Sequence, residues 1–176
     1  VPIHSVFALY SSALNAADFS QIIRLVFGYM IEYETYIIQF YNDFNDYSFA
    51  ISAPKNFVVW STGDFLNPEE VLQNEYLKRF KESLKSDKII HVANESEMKS
   101  GKVTKQNDWN VWKFRANNIV DFCFALSNHY VWDASSVQLK TKRASVQSAY
   151  KVGAKDFEKY TEWMRYNLKW FSENWP

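Results

Sequence analysis

The sequence predicts a mainly β fold with added helices, an α+β chain built on an antiparallel β-sandwich with one inserted helix and a C-terminal helix. Three observations predict it. Tyr47-Ser-Phe-Ala-Ile51 and Trp109 to Arg115 alternate along the chain with the two-residue period of half-buried strands. Asn67-Pro68-Glu69-Glu70 reads as a helix start, with Asn as N-cap, Pro at the first helical position and carboxylates in the positive first turn. Near the end, Phe157, Tyr160, Met164, Leu168 and Phe171 recur at helical spacing.

Taken in order, Ala13 to Phe27 predicts a helix capped by Asn15 or Asp18 and ended by Gly28, and Tyr29 to Tyr41 is dense in strand formers. Residues 40–61 predict a pair of strands around the turn Ala53-Pro54-Lys55-Asn56, the second strand being Phe57-Val-Val-Trp60. Thr62-Gly63-Asp64 breaks the run. From Asn67 the apolar stripe Val71 or Leu72, Tyr76, Leu77, Phe80 and Leu84 predicts one helix to about Lys85, with Lys78, Arg79, Lys81 and Glu82 on its wet side. Lys88 to Ala93 is a short strand, and the polar stretch Asn94 to Asn107 an exposed loop or hairpin tip. Trp109, Val111, Lys113 and Arg115 then face one way, and Asn110, Trp112 and Phe114 the other. Ile119 to Leu126, His129 to Trp132 and Ser145 to Val152 complete the strands. Helix is expected from Lys155 to Asn174, where Trp163, Tyr166 and Trp170 widen the apolar face over most of the circumference. A helix so apolar needs packing on two sides.

At 176 residues the chain has room for one domain with a sizeable core. Aromatic residues make up 18 %, so rings must either fill a thick core or coat a contact surface. Lysine plus arginine balances aspartate plus glutamate, 20 against 20, which gives no electrostatic signature of a nucleic-acid or acidic-membrane partner. The most apolar long segment, Phe19 to Tyr41, is interrupted by Arg24, Glu32, Glu34 and Gln39, so no membrane span is expected. A start at Val1 suggests a processed product or a piece of something larger. The single cysteine, Cys123, excludes an intrachain disulfide, and its apolar run predicts a small buried hydrophobe.

Motifs for chemistry are sparse. His4, His91 and His129 have no His or Cys at ligand spacing, so no metal ligand is assigned. No Gly-x-Ser-x-Gly elbow and no glycine-rich phosphate loop occurs. The carboxylate pairs Glu69/Glu70, Asp43/Asp46 and Glu95/Glu97 are accounted for by helix-terminus electrostatics and turns, and nothing selects one for acid–base work. Catalytic, cofactor-binding and metal sites are therefore all read as none in this chain. Trp109, Trp112, His129, Tyr130 and Trp132 lie on neighbouring strand-like runs and form either a stacking platform for sugars or bases or the lining of a sandwich core.

Three blocks carry a resemblance: FYNDFNDYSFAISAPKNFVVWSTG with Asn67-Pro68-Glu69-Glu70-Val71-Leu72 after it; Trp112 to Ser127 followed by Tyr130-Val-Trp-Asp-Ala134; and Ala154 to Pro176. Over residues 40–176 the chain resembles the N-terminal domain of aminopeptidase-N-like gluzincin zinc metallopeptidases, especially a bacterial branch. The resemblance implies a saddle-like β-domain over residues 40–153 and the first helix of a truncated catalytic domain over 154–176. Residues 1–39 match poorly, lacking the expected Trp-Tyr-Pro and Gly-Glu-Phe pattern. The family's Gly-x-Met-Glu-Asn loop, His-Glu-x-x-His zinc helix, distal Glu and catalytic Tyr have no counterpart here, so no site residue carries over.

The function this implies is structural: a non-catalytic domain fragment that packs against the parent's catalytic domain and walls one side of its peptide-substrate cleft. Zinc is expected in the parent and not in this chain. An envelope-associated, periplasmic or secreted setting follows from the resemblance alone. The alternatives are a free-standing β-sandwich module that binds carbohydrate or protein through exposed aromatics, and a degenerate peptidase relative that kept the domain for interaction. Exposed coplanar rings would favour the module; buried rings with a bare C-terminal helix face would favour the fragment.

Overall fold

In the computed structural model, residues 6–9 and 44–174 are described. The helix expected over Ala13 to Phe27, the strand over Tyr29 to Tyr41, and His4 and Asp43 lie outside them. The described strands are β1 (Val6–Leu9), β2 (Asn45–Pro54), β3 (Val58–Ser61), β4 (Asp64–Phe65), β5 (Ile90–Ala93), β6 (Trp109–Ile119), β7 (Phe124–Ser127), β8 (Val131–Gln138) and β9 (Arg143–Tyr150). The described helices are α1 (Pro68–Val71), α2 (Asn74–Ser83), α3 (Glu95–Lys99), α4 (Lys155–Glu158) and α5 (Tyr160–Asn174). Strands join in the orders β1-β9-β8-β5, β2-β6-β4 and β3-β7, and every pairing is antiparallel except β1 with β9. The mainly β, α+β class read from the sequence is the class of the fold.

Alternation along β6 is as the residues dictate: Asn110, Trp112, Phe114 and Ala116 are buried, while Trp109, Val111, Lys113 and Arg115 are exposed. Its inward rings stack with Phe65, at 5.2 Å from Trp112 and 5.3 Å from Phe114. They join Ile51, Trp60, Phe80, Val92 and Trp132 in the larger core. A smaller core lies on the other face of the β9-β8 hairpin, where Val137, Leu139, Ala144 and Val146 meet Leu168 and Met164 of α5. Strand β8 is thus covered on both faces.

The turn at Pro54 to Phe57 forms, with Asn56 at φ 73 and the Phe57 N–H donating to the Pro54 carbonyl at 3.3 Å. It does not make β2 and β3 a pair. β2 runs along β6 and β3 along β7. The two strands differ in burial as well: Val58, Val59, Trp60 and Ser61 are all buried, whereas β2 is half exposed.

The helix expected from Asn67 to Lys85 is two helices. Leu72 is extended (φ −97, ψ 143) and bridges to Thr104. The Gln73 N–H donates to the Val103 carbonyl at 3.0 Å, and the Lys105 N–H to the Val71 carbonyl at 2.8 Å. Backbone from residues 103–105 therefore takes the groups a continuous helix would use. Asn67 stands at the N-cap position without capping by its side chain. Its Nδ2 donates to the Val111 carbonyl at 2.9 Å and its Oδ1 accepts from the Lys113 N–H at 2.9 Å, which fixes α1 to β6.

The exposed loop expected over Asn94 to Asn107 contains α3. Asn94 Oδ1 accepts from the Glu97 N–H at 2.9 Å, and Glu97 Oε2 accepts from the Asn94 N–H at 2.8 Å, a reciprocal capping box. Met98 of this helix is buried, as are Val103 and Thr104 after it. Replacing Asn94 by Ala is expected to cost about 1 kcal/mol in urea unfolding. A loss below a few tenths would mean that α3 is held by Met98 alone. The expected C-terminal helix is interrupted at Lys159 (φ −100, ψ 0), separating α4 from α5.

Candidate functional site

Two features outside the larger core have the character of sites: a polar cluster across the β5-β8-β9 sheet, and the outward face of α5.

The cluster follows from strand register. His91 on β5 faces Asp133 on β8, and Val131 on β8 faces Tyr150 on β9. His91 Nδ1 lies 2.6 Å from Asp133 Oδ1, and the Tyr150 hydroxyl donates to Asp133 Oδ2 at 2.8 Å. The Asp133 side chain is 2 % exposed and that of His91 is 76 % exposed. A buried carboxylate needs donors on both oxygens, and these two supply them. Burial pushes the Tyr150 hydroxyl well above the ordinary tyrosine range, and its hydrogen bond to Asp133 adds to the shift. Next along the sheet, the Ser148 and Thr161 hydroxyls meet at 2.6 Å and tie β9 to the first turn of α5.

Helix α5 seats Thr161 and Leu168 inward, with Met164 half buried against the smaller core. Arg165 Nε donates to the Ser136 carbonyl at 3.0 Å. Arg165 also lies 3.7 Å from Asp87, whose stronger partner is Arg143 at 2.9 Å. The hydrogen bond from Arg143 holds the Asp87 carboxyl below its usual range. The opposite side of α5 is bare: Trp163 is 52 % exposed, Tyr166 68 % and Trp170 44 %, while Phe171, three residues on from Leu168, is exposed at the margin of the seated side.

The rings proposed as a stacking platform do not form one. Trp112 and Trp132 are fully buried, Trp109 is 60 % exposed, and His129 and Tyr130 are half buried. His129 meets Tyr130 edge-on, 5.0 Å apart at 86°. Trp132 is anchored inward by its Nε1, which donates to Gln147 Oε1 at 3.1 Å. The rings that alternate inward line the core.

Cys123 is exposed, against the expectation of a buried thiol, because β6 ends at Ile119 and the chain loops out before β7. Its sulfur lies 3.5 Å from Thr62 Oγ1. The described carboxylates of the expected pairs are engaged elsewhere. Glu69 pairs with Lys81 at 2.5 Å, and the hydrogen bond from that lysine lowers its carboxyl from the ordinary value. Glu70 accepts from Asn67 at 2.7 Å and from Lys113 at 3.1 Å, and both lower it. Asp46 accepts from the Asn118 N–H at 2.8 Å, Glu95 pairs with Lys99 at 3.0 Å, and Glu97 binds Arg79 at 3.0 Å. Among the described residues no three His, Cys, Asp or Glu side chains group as a metal site. No helix among them is long and apolar enough to cross a membrane.

Sequence reasoning missed the link from His91 to Asp133 and Tyr150. The three are separated by 42 and 17 positions, and only strand register brings them together. Compared with known proteins, the chain matches no protein-family model, no curated protein and no solved structure.

Proposed function

We propose that this chain is a non-catalytic support-domain fragment of an aminopeptidase-N-like zinc metallopeptidase that ends in the first helix of the catalytic domain, with α5 packing against the rest of that domain and the β-domain walling one side of the substrate cleft. The observation that carries the reading is the bare aromatic face of α5. Trp163, Tyr166 and Trp170 are exposed on a helix whose other side is already seated. Each such ring buries roughly 150–250 Å² when covered, so the three together match an interaction patch rather than scattered surface apolars. The identity of the neighbour rests on the three sequence blocks that resemble the peptidase family. Zinc belongs to that neighbour, where it would polarise the peptide carbonyl and activate water.

The decisive experiment is to read the encoding frame beyond Pro176. A downstream His-Glu-x-x-His followed by a distal Glu is expected. A stop codon directly after Pro176 overturns the proposal. The second reading, a free-standing binding module, then leads, favoured by Trp109 and Val111, which are 60 % and 40 % exposed on the outward face of β6. In that case Trp109→Ala should abolish retention on the glycan or protein ligand the module selects.

A further inference from the structure

The His91–Asp133–Tyr150 cluster has the parts of an activated imidazole. Asp133 is buried and presents one oxygen to each partner, at 2.6 Å to His91 Nδ1 and 2.8 Å from the Tyr150 hydroxyl. With Tyr150 donating to Oδ2, Asp133 accepts through Oδ1, so the hydrogen of neutral His91 sits on Nδ1. The lone pair is then on Nε2, on a ring that is 76 % exposed. A carboxylate behind a histidine fixes its tautomer and meets the positive charge that develops when the far nitrogen attacks or takes a proton. His129 is not built this way, since its Nδ1 contacts the amide oxygen of Asn128 at 2.8 Å and the Ser127 hydroxyl at 3.4 Å.

We propose that His91 is a nucleophilic site for small activated acyl donors, with Asp133 as its positioning residue and Tyr150 locking Asp133. In the first step Nε2 adds to the acyl carbonyl carbon, and the bond to the leaving oxygen breaks with its electron pair. The positive charge on the acylated ring is met by Asp133. Water then adds to the acyl carbon and the nitrogen–carbon bond breaks, restoring neutral His91. The hydroxyl of water stays with the released acid, and its other proton ends on the released alcohol. No oxidant, metal or further co-reactant is required. The site lies on β5 and does not depend on the docking role of α5, so either can fail without the other.

The test uses the whole chain and p-nitrophenyl acetate as the acyl donor. Wild type should release p-nitrophenolate with turnover and carry a transient acetyl group that maps to His91 by mass spectrometry. His91→Gln, a change at an exposed position, should lower the rate on the order of a hundredfold, the low end of what a positioned imidazole contributes. His129→Gln should leave it unchanged. An undiminished rate in His91→Gln, or an adduct that maps elsewhere, overturns the proposal. The positioning role is read separately by the ring ¹⁵N shifts of His91. Wild type should show hydrogen on Nδ1, and a well-folded Asp133→Asn should shift the population toward Nε2–H with a matching loss of rate. If Asp133→Asn does not fold, the wild-type tautomer decides, and hydrogen on Nε2 overturns the role of Asp133.

Discussion

Replacing Trp132 by Ala is expected to destabilise the domain by about 3–5 kcal/mol, the range for removing a large ring from a closed core. Trp132 is 1 % exposed and stands where three elements meet. It is edge-on to Trp60 of β3 at 5.9 Å and 86°, and tilted against Phe80 of α2 at 5.5 Å. Its own strand, β8, is central in its sheet, between β9 and β5. Collapse into the space is limited, because β8 carries α5 on its other face and cannot move inward without breaking the Arg165 bond to Ser136. The change also strands Gln147 Oε1, which loses its indole donor. Trp132→Phe separates these terms: it keeps most of the volume and loses the hydrogen bond, so it should cost about 1–2 kcal/mol. Urea unfolding followed by far-UV circular dichroism measures both. A cost for Trp132→Ala under 1.5 kcal/mol would show that the two sheets are not packed through this ring.

The contrast between β6 and β8 shows what local sequence can carry. Along β6 the ring of Trp112 and the amide of Asn110 are inward while Lys113 and Arg115 are outward, so chemistry and period agree and the strand is legible. In β8 the run Asp133-Ala-Ser-Ser-Val137 is buried throughout, and no alternation marks it. Its serines are tolerated there because distant backbone satisfies them: Ser135 Oγ donates to the Lys88 carbonyl at 3.0 Å, and Ser136 Oγ to the Ser86 carbonyl at 3.0 Å. The α1–α2 break was hidden for the same reason, since the backbone that interrupts the helix at Leu72 arrives from Thr104. Helix α3 is different. Asn94 and Glu97 stand three apart, a capping-box signal that the polarity of the surrounding stretch obscured. The excess of aromatic surface on α5 was visible from spacing, whereas the His91–Asp133 pairing depends on the register of β5 on β8, shifted by an irregularity between His91 and Ala93.

The same dependence on distant backbone makes Gly63→Ala the second large effect, expected at about 4 kcal/mol. Gly63 lies between β3 and β4, where the chain leaves one strand pair and joins the edge of β6. Its φ is 95, in the region that side-chain-bearing residues avoid, which alone costs on the order of 1–3 kcal/mol. A methyl group at this position would stand 2.4 Å from the Arg115 carbonyl oxygen and 2.8 Å from Ala116 Cβ. Neither can yield easily. The Arg115 backbone sits in β6 between Ser48 of β2 and Asp64 of β4. Ala116 is fully buried. Relief would require β4 to lift from β6, which would withdraw Phe65 from its stacks on Trp112 and Phe114. Overpacking of this kind adds roughly another 1–3 kcal/mol. Asn at position 63 tests the two terms apart: it tolerates positive φ better than Ala but carries the same clash. If the steric term dominates, Gly63→Asn should be at least as destabilising as Gly63→Ala in thermal unfolding. If Asn restores most of the stability, the backbone conformation sets the cost and the approach to β6 is looser than these distances indicate.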